Sequence, residues 1–442
     1  MSKSSRSVLF IILTTFLLFS AHANNIKKYS PDRLIIKMKE GVTPPSLTNV
    51  IKVQHLFKSV YTIYSKNITK LEKELANNQD IIYIEKDYYG SRDKLEKREY
   101  LDFKSDSFNA TNPFNDQYVN KQWTLLDSEL NGISVKRAFL NRRTMPREEI
   151  IVAVVDTGVD FSHPDLPIWS NENEIPDNGI DDDGNGYIDD IYGINTLVRD
   201  QNGNATMNTS DAHGHGTHVS GSIGAIQNNN IGVVGVASNV KIMGIRTVPN
   251  RSDELDVDVI EAFIYAAKNG AKIINCSFGK SHNEGGQAVS EAIEYIGKEF
   301  GVLVVAAAGN SSRNIDTTPS YPASFTNDSL LVVASTSKYG GLSYFSNYGQ
   351  KGVDVAAPGS GIYSTYPGNR YSSMSGTSMA SPNTAGLAAE ILSHFPNLTP
   401  FELKKIIMNS VTKIGSMTSR LVSGGRIDLE KSLVAAEIFT SN

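Results

Sequence analysis

The sequence predicts an α/β fold: a mostly parallel sheet with helices on both faces, preceded by a small α+β unit. Beyond about residue 112, short and continuously apolar segments alternate with segments whose apolar residues recur at helical spacing. The first pattern is typical of strands buried on both sides, and the second of the helices that cover them. A length of 442 residues also favours a globular body with accessory segments over a single domain.

The amino terminus is typical of a secretory signal peptide. Lys3 and Arg6 precede an apolar run, 8–19, and an Ala-His-Ala triplet that ends at Ala23. A membrane anchor would need about 20 apolar residues, and this run is shorter. We therefore expect residues 1–23 to be removed, leaving an extracellular or periplasmic protein without membrane association.

Residues 24–90 are predicted to form the small α+β unit. Within it, 33–38 and 81–85 have the composition of strands, and 68–75 has that of a short helix. The segment 91–112 is polar and charged, which is typical of an exposed linker that a protease can cut. The sequence thus divides into an accessory unit with its linker, up to residue 111, and a body from residue 112.

The body shows the alternation most clearly. Strands are predicted at 150–155, 240–245, 272–275, 302–307, 330–334 and 353–356. Helices are predicted at 259–267, ended by Gly270, and at 287–300. A further apolar helix opens near Ser378 and runs through Ile391, and a short helical tail follows residue 428.

Charge and cysteine content narrow the possible functions. The 42 basic and 47 acidic residues give a net charge of −5 without a basic patch, so nucleic acid is not an expected partner. Cys276 is the only cysteine, so an exported chain must be stabilised without intramolecular disulfides, for which bound metal is a reasonable substitute. Cys276 itself could be a reactive thiol, but we favour a buried and inert residue.

Reactive residues occupy three predicted element boundaries. Asp156 ends a buried strand, His215 lies between glycines where a helix begins, and Ser378 opens the last apolar helix. A serine hydroxyl needs a histidine to take its proton, and the histidine needs a carboxylate to fix its tautomer. These residues therefore form a candidate catalytic triad. Asn310, after another buried strand, is a candidate oxyanion donor beside the helix N-terminus at Ser378.

The order Asp, His, Ser within DTG, HGTH and GTSMASP, with AAGN before the serine, resembles the subtilisin-like serine proteases across residues 112–436. The resemblance implies a subtilisin-like fold and an endopeptidase in which Ser378 attacks, His215 is base then acid, and Asp156 orients it. Asn310 and the Ser378 N–H would hold the oxyanion. A catalytically inactive binding scaffold is the alternative; a lipase lacks support, since no G-x-S-x-G elbow precedes a suitable Asp and His.

The resemblance also implies protein or peptide substrates. Ser277-Phe278-Gly279 resembles the family segment that pairs with an extended substrate backbone. Ala307 and Gly309 would line the opposite wall of the main specificity pocket. Because the surrounding residues are small, apart from Phe278, and uncharged, we expect a preference for apolar or aromatic side chains before the cut.

Residues 177–190 carry oxygen ligands at alternate positions, as a hard cation requires. The predicted calcium ligands are Asp181, Asp183, Asn185, the Tyr187 carbonyl and Asp190. The twelfth position from Asp181 is Tyr192 and not glutamate, so the loop is not an EF-hand. A merely solvated acidic turn remains the alternative.

Similarity to thermostable family members such as thermitase implies a second calcium site around the loop 228–235. By that alignment its ligands are Asp116, Asp165, the Asn229 side chain, and the carbonyls of Ile226, Ile231 and Val233. If Asp116 is a ligand, the mature chain begins before it. We therefore place maturation between 90 and 115, close to Asn112.

Residues 24–111 then resemble the family's inhibitory propeptide, of the I9 type with a ferredoxin-like fold, which would be a transient partner of the monomeric enzyme. A permanent binding module is the alternative for this unit. His213, His215 and His218 could instead converge on zinc. We favour His215 in the triad and His218 as a packed helix residue, because the sequence has no HExxH pattern.

Overall fold

The computed structural model describes residues 29–90, 112–142, 144–208, 210–251, 254–280 and 286–441. The expected signal peptide, 1–23, and the linker residues 91–111 lie outside this part of the chain. Within the described ranges, none of the helices combines the length and apolarity needed to cross a membrane.

The amino-terminal unit is a four-stranded antiparallel sheet with one helix. Its elements are β1 (Tyr29–Met38), β2 (Val50–Phe57), β3 (Val60–Ser65), α1 (Ile68–Leu75) and β4 (Ile81–Tyr88). The strand order, β2-β3-β1-β4, is that of a ferredoxin-like sheet, with a non-helical connection between β1 and β2. The predicted strands and helix are confirmed, while β2 and β3 were not predicted.

Side chains of β1 alternate between two cores. Leu34 and Ile36 pack with Leu71 and Leu75 of α1, whereas Ile35 joins the core of the body. The amino-terminal unit therefore buries one face of its sheet internally and the other against the rest of the protein.

The body contains one large sheet and a hairpin. Its strands are β5 (Ile150–Asp156), β6 (Ile194–Arg199), β7 (Ala205–Met207), β8 (Val240–Arg246), β9 (Ile273–Cys276), β10 (Leu303–Ala307), β11 (Leu330–Thr336), β12 (Val355–Pro358), β13 (Ile362–Tyr366), β14 (Arg370–Met374), β15 (Thr412–Lys413) and β16 (Gly425–Arg426). The sheet has ten strands in the order β15-β16-β12-β11-β10-β9-β5-β8-β6-β7, and β13 pairs only with β14. All adjacent pairs from β16 to β6 are parallel, which confirms the predicted sheet.

Helices cover both faces of this sheet. They are α2 (Val135–Arg142), α3 (His215–Gly224), α4 (Asp256–Lys268), α5 (Gln287–Phe300), α6 (Thr377–His394), α7 (Pro400–Asn409) and α8 (Leu429–Thr440). Along β5, Val152 and Val154 join the core that holds α3 and α6, whereas Ala153 and Val155 join the core that holds α4 and α5. This alternation explains why the strand is apolar from Ile150 to Val155, and it confirms the α/β fold.

Candidate active site

The three predicted triad residues lie where the fold changes from one element to the next. Asp156 is the last residue of β5, His215 is the first residue of α3, and Ser378 lies in the first turn of α6. All three are at least 95% buried, with exposed fractions of 1%, 5% and 5%. Rigid elements therefore hold the reactive groups in a largely desolvated site.

Asp156 and His215 are hydrogen bonded. His215 Nδ1 lies 2.7 Å from Asp156 Oδ1, which also accepts the Thr157 backbone N–H at 2.7 Å. A carboxylate can only accept, so Nδ1 carries the proton and Nε2 is left with its lone pair. His215 Nε2 is buried and has no hydrogen-bond partner among the described residues. This nitrogen can accept a proton.

The Ser378 hydroxyl is not hydrogen bonded to His215 in this structure. Its Oγ donates to the Ser277 carbonyl at 3.1 Å, while the Ser277 hydroxyl donates to the Ser378 carbonyl at 3.0 Å. A turn about the Cα–Cβ bond must bring Oγ to the imidazole. Such looseness is common in sites without substrate, where catalytic hydrogen bonds tighten only in the complex.

Asn310 and the Ser378 backbone face the same space. Asn310 Oδ1 accepts both the backbone N–H and the hydroxyl of Thr377, at 2.7 and 2.9 Å, which turns its NH₂ group the other way. A Cβ at Gly376 would lie 3.6 Å from Asn310 Nδ2 and 3.6 Å from the Ser378 nitrogen. Two donors thus converge beside a glycine, as stabilisation of a tetrahedral oxyanion requires.

The predicted substrate walls leave the carboxyl ends of neighbouring parallel strands. Ser277, Phe278 and Gly279 follow β9, while Ala307 ends β10 and Gly309 follows it. The Gly309 nitrogen donates to the Thr377 hydroxyl at 3.1 Å, so this wall is tied to the start of α6. The two segments border the residues that hold Ser378.

A carboxylate that the sequence did not single out connects the first two catalytic segments. Asp211 is 3% exposed, and its oxygens accept five hydrogen bonds of 2.8–3.1 Å. The donors are the Thr157 hydroxyl, the His213, Gly214 and Thr217 nitrogens, and the Thr217 hydroxyl. Its only sequence signal was its place just before a helix N-terminus, where aspartate often accepts backbone N–H groups.

The other two candidate reactive residues are packed side chains. His218 is fully buried, and its Nε2 lies 3.0 Å from the Ile362 carbonyl and 3.1 Å from the Ser372 carbonyl. Burial lowers the pKa of His218 to about 3, with the nearby His215 as a second cause. Cys276 is also fully buried, which raises its thiol pKa well above the ordinary value. The predicted burial of His218 and of Cys276 is confirmed.

Comparison with known proteins identifies the family. The family model described as Peptidase_S8, Subtilase family, matches residues 147–425. Subtilisin-like protease 1 of Plasmodium berghei (strain Anka) is 36% identical over 337 residues, which is 72% of this chain and 54% of that protein. The protein belongs to the subtilase family. It spans about half the length of the curated relatives it matches first.

Two further relatives extend this comparison. The Thermophilic serine proteinase of Bacillus sp. (strain AK1) is 38% identical over 277 residues, 63% of this subtilase and 60% of that protein. The crystal structure of fervidolysin from Fervidobacterium pennivorans, a keratinolytic enzyme related to subtilisin, has a TM-score of 0.68 and 24% identity. It covers 92% of this chain and 62% of that one, and at this identity it shows the shared fold.

The acidic loop of this subtilase gathers a carboxylate cluster. Ligand oxygens of Glu174, Asp183 and Asp190 lie within 4.8 Å of one another. Asn185 Nδ2 donates to both Asp183 and Asp190 at 3.0 Å, so the Asn185 amide must turn before its oxygen can face the cluster. Burial raises the pKa of Asp190 and of Glu174. Such a set of oxygen donors is suited to a hard cation.

Asp181 and Tyr187, the other predicted ligands of the acidic loop, make contacts outside the carboxylate cluster. The Asp181 carboxylate accepts the backbone N–H groups of Asn185 and Gly186, at 3.0 and 2.9 Å. For Tyr187, the predicted ligand was the main-chain carbonyl. The Tyr187 hydroxyl donates a hydrogen bond to Glu261 at 3.2 Å. Glu174 was not predicted, because it precedes the alternating acidic run and enters the cluster only through the fold of the loop.

The second predicted calcium site is drawn together from three segments. Asp116 and Asp165 are 3% and 0% exposed, and Asp165 Oδ1 accepts Asn229 Nδ2 at 2.7 Å. Burial raises the pKa of Asp165 to about 6, with the negative charge of Asp116 as a smaller cause. Asp116 Oδ1 is buried without a hydrogen-bond partner among the described residues. A cation would satisfy this oxygen, so the residues fit calcium.

The backbone of the loop is also close to these carboxylates. The Val233 nitrogen donates to Asp165 Oδ2 at 2.9 Å, and the Ile226 nitrogen to the Asp165 carbonyl at 3.0 Å. Ile226 and Ile231 expose 36% and 37% of their surface, and only their main-chain carbonyls were predicted as ligands. Asn229 now presents its nitrogen to Asp165, and ligation through its oxygen requires the amide to turn.

Proposed function

We propose that this subtilase is a serine endopeptidase with Asp156, His215 and Ser378 as its catalytic triad. The observation that carries the proposal is the 2.7 Å bond from His215 Nδ1 to Asp156, which leaves a buried Nε2 able to accept a proton. Family membership supports the same chemistry. A binding scaffold without activity does not need the paired donors of Asn310 and Ser378.

In the proposed reaction, Ser378 Oγ bonds to the peptide carbonyl carbon while His215 Nε2 takes its proton. The carbonyl oxygen becomes an oxyanion that accepts hydrogen bonds from Asn310 Nδ2 and the Ser378 N–H. His215 then donates the proton to the leaving amine, and the C–N bond breaks to give an acyl-enzyme. Water, deprotonated by His215, then bonds to the acyl carbon; the ester bond to Ser378 Oγ breaks, His215 returns the proton to Oγ, and the acid leaves. Asp156 stabilises the imidazolium throughout.

The Ser378→Ala variant tests this assignment. It should lose casein hydrolysis and labelling by a fluorophosphonate, because both need the hydroxyl as nucleophile. Ser393→Ala is a matched control, since it removes another buried hydroxyl of α6, one that bonds the Glu390 carbonyl within the helix and takes no part in the proposed chemistry. Unchanged hydrolysis in Ser378→Ala would refute the triad and favour another active site. Folded, soluble protein without any hydrolysis in the unmutated enzyme would favour the inactive scaffold.

We propose protein or peptide substrates that bind as an added strand beside Ser277-Phe278-Gly279, with Ala307 and Gly309 on the opposite wall. Phe278 is half-buried, packs on the core and lines an apolar pocket together with Tyr321 and Phe325. Apolar or aromatic side chains before the cut follow from this lining. A peptide library measures this preference. Cleavage mainly after charged residues would contradict it.

We propose that the protein is made as a secreted zymogen, with residues 1–23 as signal peptide, 24–111 as propeptide and 112–442 as monomeric peptidase. The end of the amino-terminal unit supports this, because Tyr89 bridges to Leu255 and the Gly90 nitrogen donates to the Glu254 carbonyl at 2.7 Å. The unit is thus already attached as an added strand where the linker begins. N-terminal sequencing of secreted protein tests the boundary, and a mature terminus at residue 24 would favour a permanent binding module.

Calcium is the proposed structural ion. Asp116, Asp165 and Asn229, with backbone carbonyls of the 228–235 loop, would hold one ion, and the cluster of Asp183, Asn185 and Asp190 with Glu174 another. Bound calcium would supply positive charge that offsets the repulsion between buried carboxylates. Saturable binding that is lost in Asp165→Asn supports the first site, and its absence in the parent protein contradicts it.

A further inference from the structure

Tyr371 extends from β14 to the Asp165 site. Its hydroxyl lies beside the Asp165 carboxylate. A Cβ at Gly232 would lie 1.9 Å from Asp165 Oδ2 and 2.2 Å from the Tyr371 hydroxyl oxygen, so both groups close around that glycine. A tyrosine of the hairpin is therefore in direct contact with a candidate calcium ligand.

The Tyr371 ring is held by the segments that carry both carboxylates. Its centroid is 5.1 Å from that of Tyr118, which follows Asp116, and 5.3 Å from that of His163, which precedes Asp165. The two ring contacts are edge-on, a favourable arrangement. His163 Nε2 also lies 3.1 Å from the Arg370 carbonyl. These contacts hold the Tyr371 ring beside the two segments that carry Asp116 and Asp165.

The same strand also reaches the catalytic helices. The Ser372 carbonyl, next to Tyr371, lies 3.1 Å from His218 Nε2 on the helix that begins with His215. Beyond β14 the chain continues through Gly376 into α6 and Ser378. One short strand therefore touches the candidate ion site, the histidine helix and the path to the nucleophile.

We propose that Tyr371 is a positioning residue of the calcium site: its hydroxyl donates to Asp165, orients that carboxylate for the ion and ties the site to β14. The proposal rests on calcium binding at Asp116 and Asp165. Asp165 already receives Asn229 Nδ2 and the Val233 N–H, so the hydroxyl completes its orientation. Partners that orient a metal ligand typically contribute about 10–100-fold to affinity.

Tyr371→Phe tests the proposal, with Tyr363→Phe as matched control. Tyr363 lies on the same hairpin and also contacts the Tyr118 ring edge-on, at 5.6 Å, but its hydroxyl faces Lys121. All measurements use full-length protein with two background substitutions. Ser378→Ala prevents self-digestion, and Asp183→Asn weakens calcium binding at the acidic loop so that the titration reports the Asp165 site. Calcium titration by calorimetry should give about tenfold weaker binding for Tyr371→Phe and unchanged binding for Tyr363→Phe. The calcium-induced rise in melting temperature should shrink in the first variant only.

Two results would overturn the role of Tyr371: equal affinity in Tyr371→Phe and its parent, or an equal loss in Tyr363→Phe, which would show that hairpin packing and not the hydroxyl matters. If the parent protein shows no calcium binding that the Asp165→Asn substitution abolishes, the calcium site itself is refuted. Circular dichroism in chelator should show all variants folded; if Tyr371→Phe is unfolded, Tyr371→His, which keeps a ring and a donor, must restore at least part of the affinity or the proposal fails.

Discussion

Asp211 makes the alignment of Asp156 and His215 depend on a second buried carboxylate. It accepts the Thr157 hydroxyl, which follows Asp156, and the first N–H groups around the start of α3. A buried donor left without a partner costs about 1–3 kcal/mol. We therefore expect Asp211→Ala to lower the free energy of unfolding by at least about 3 kcal/mol. It should also lower kcat by more than about tenfold, since the imidazole loses its fixed position.

Urea unfolding and steady-state kinetics measure the two effects. Asp200→Ala is a suitable control, because Asp200 also accepts backbone N–H groups, of Asn202 and Asn204, in a loop away from the candidate triad. The control should change kcat by less than about twofold. Asp211→Ala with the kcat of its parent would show that the carboxylate only stabilises the loop.

At the residue level, the sequence predicts which residues form the candidate site better than it predicts the hydrogen bonds between them. Asp156, His215 and Ser378 can be singled out because glycines and apolar runs place them at strand ends and helix starts. The hydrogen bond of Ser378 to the Ser277 carbonyl could not be predicted, because it joins residues far apart in sequence and depends on a single side-chain rotamer. Glu174 was missed for a similar reason, since only the folded loop brings it to Asp183.

At the level of elements, His218 joins α3 to the β13–β14 hairpin as a neutral ring. Its pKa is lowered to about 3 by burial, against about 6.5 when unfolded. A lowered histidine pKa means that folding excludes a proton, so this contribution to stability is complete above about pH 6.5 and is lost as the pH falls toward 3. His218→Gln keeps a donor for the Ile362 and Ser372 carbonyls but cannot titrate.

We therefore expect a smaller loss of stability on acidification in His218→Gln. The difference in slope between the two proteins should approach one proton, about 1.4 kcal/mol per pH unit between about pH 6 and 4. Urea unfolding in the Ser378→Ala background at several pH values measures it. Parallel curves would show that the ring does not titrate on unfolding, and would contradict the burial argument.

The strands that the sequence predicted in the body of the protein share one property. Buried parallel strands such as β5 and β10 are continuously apolar, so both their existence and their type are visible in the sequence. Strand β14, Arg370–Met374, is mostly polar and half-exposed, and it forms because it pairs with β13 and contacts His218. Tertiary contacts, and not local pattern, specify this hairpin, which is why the contact of Tyr371 with Asp165 had no sequence signal.

At the level of the whole molecule, the amino-terminal unit is fastened to two helices of the body by its last strand. Glu85 accepts the Gln287 and Ala288 N–H groups at the start of α5, and Asp87 accepts the Val257 N–H at the start of α4. Carboxylates are stabilised at helix N-termini. These contacts fasten the last strand of the unit to the starts of α4 and α5.

Arg33 adds a charge contact across the same interface. Its Nε lies 2.9 Å from Asp87 Oδ2 within the unit, and its Nη1 lies 3.0 Å from Asp258 Oδ1 on α4. The two carboxylates expose 0% and 6% of their side chains. Removing one partner from a buried pair costs about 3–5 kcal/mol, because the remaining charge stays buried. Arg33 is therefore expected to contribute strongly to docking of the unit.

Under the proposed zymogen scheme, Arg33→Ala should weaken inhibition of the mature peptidase by a separately produced 24–111 unit. We expect the inhibition constant to rise at least about 100-fold, measured with a chromogenic peptide. Lys39→Ala is the control, since the Lys39–Asp80 pair spans 3.3 Å with side chains 57% and 52% exposed, and exposed pairs contribute only about 0–1 kcal/mol. Equal inhibition by Arg33→Ala and the parent unit would mean that strand addition at Gly90 and the helix-capping carboxylates hold the unit without this cation.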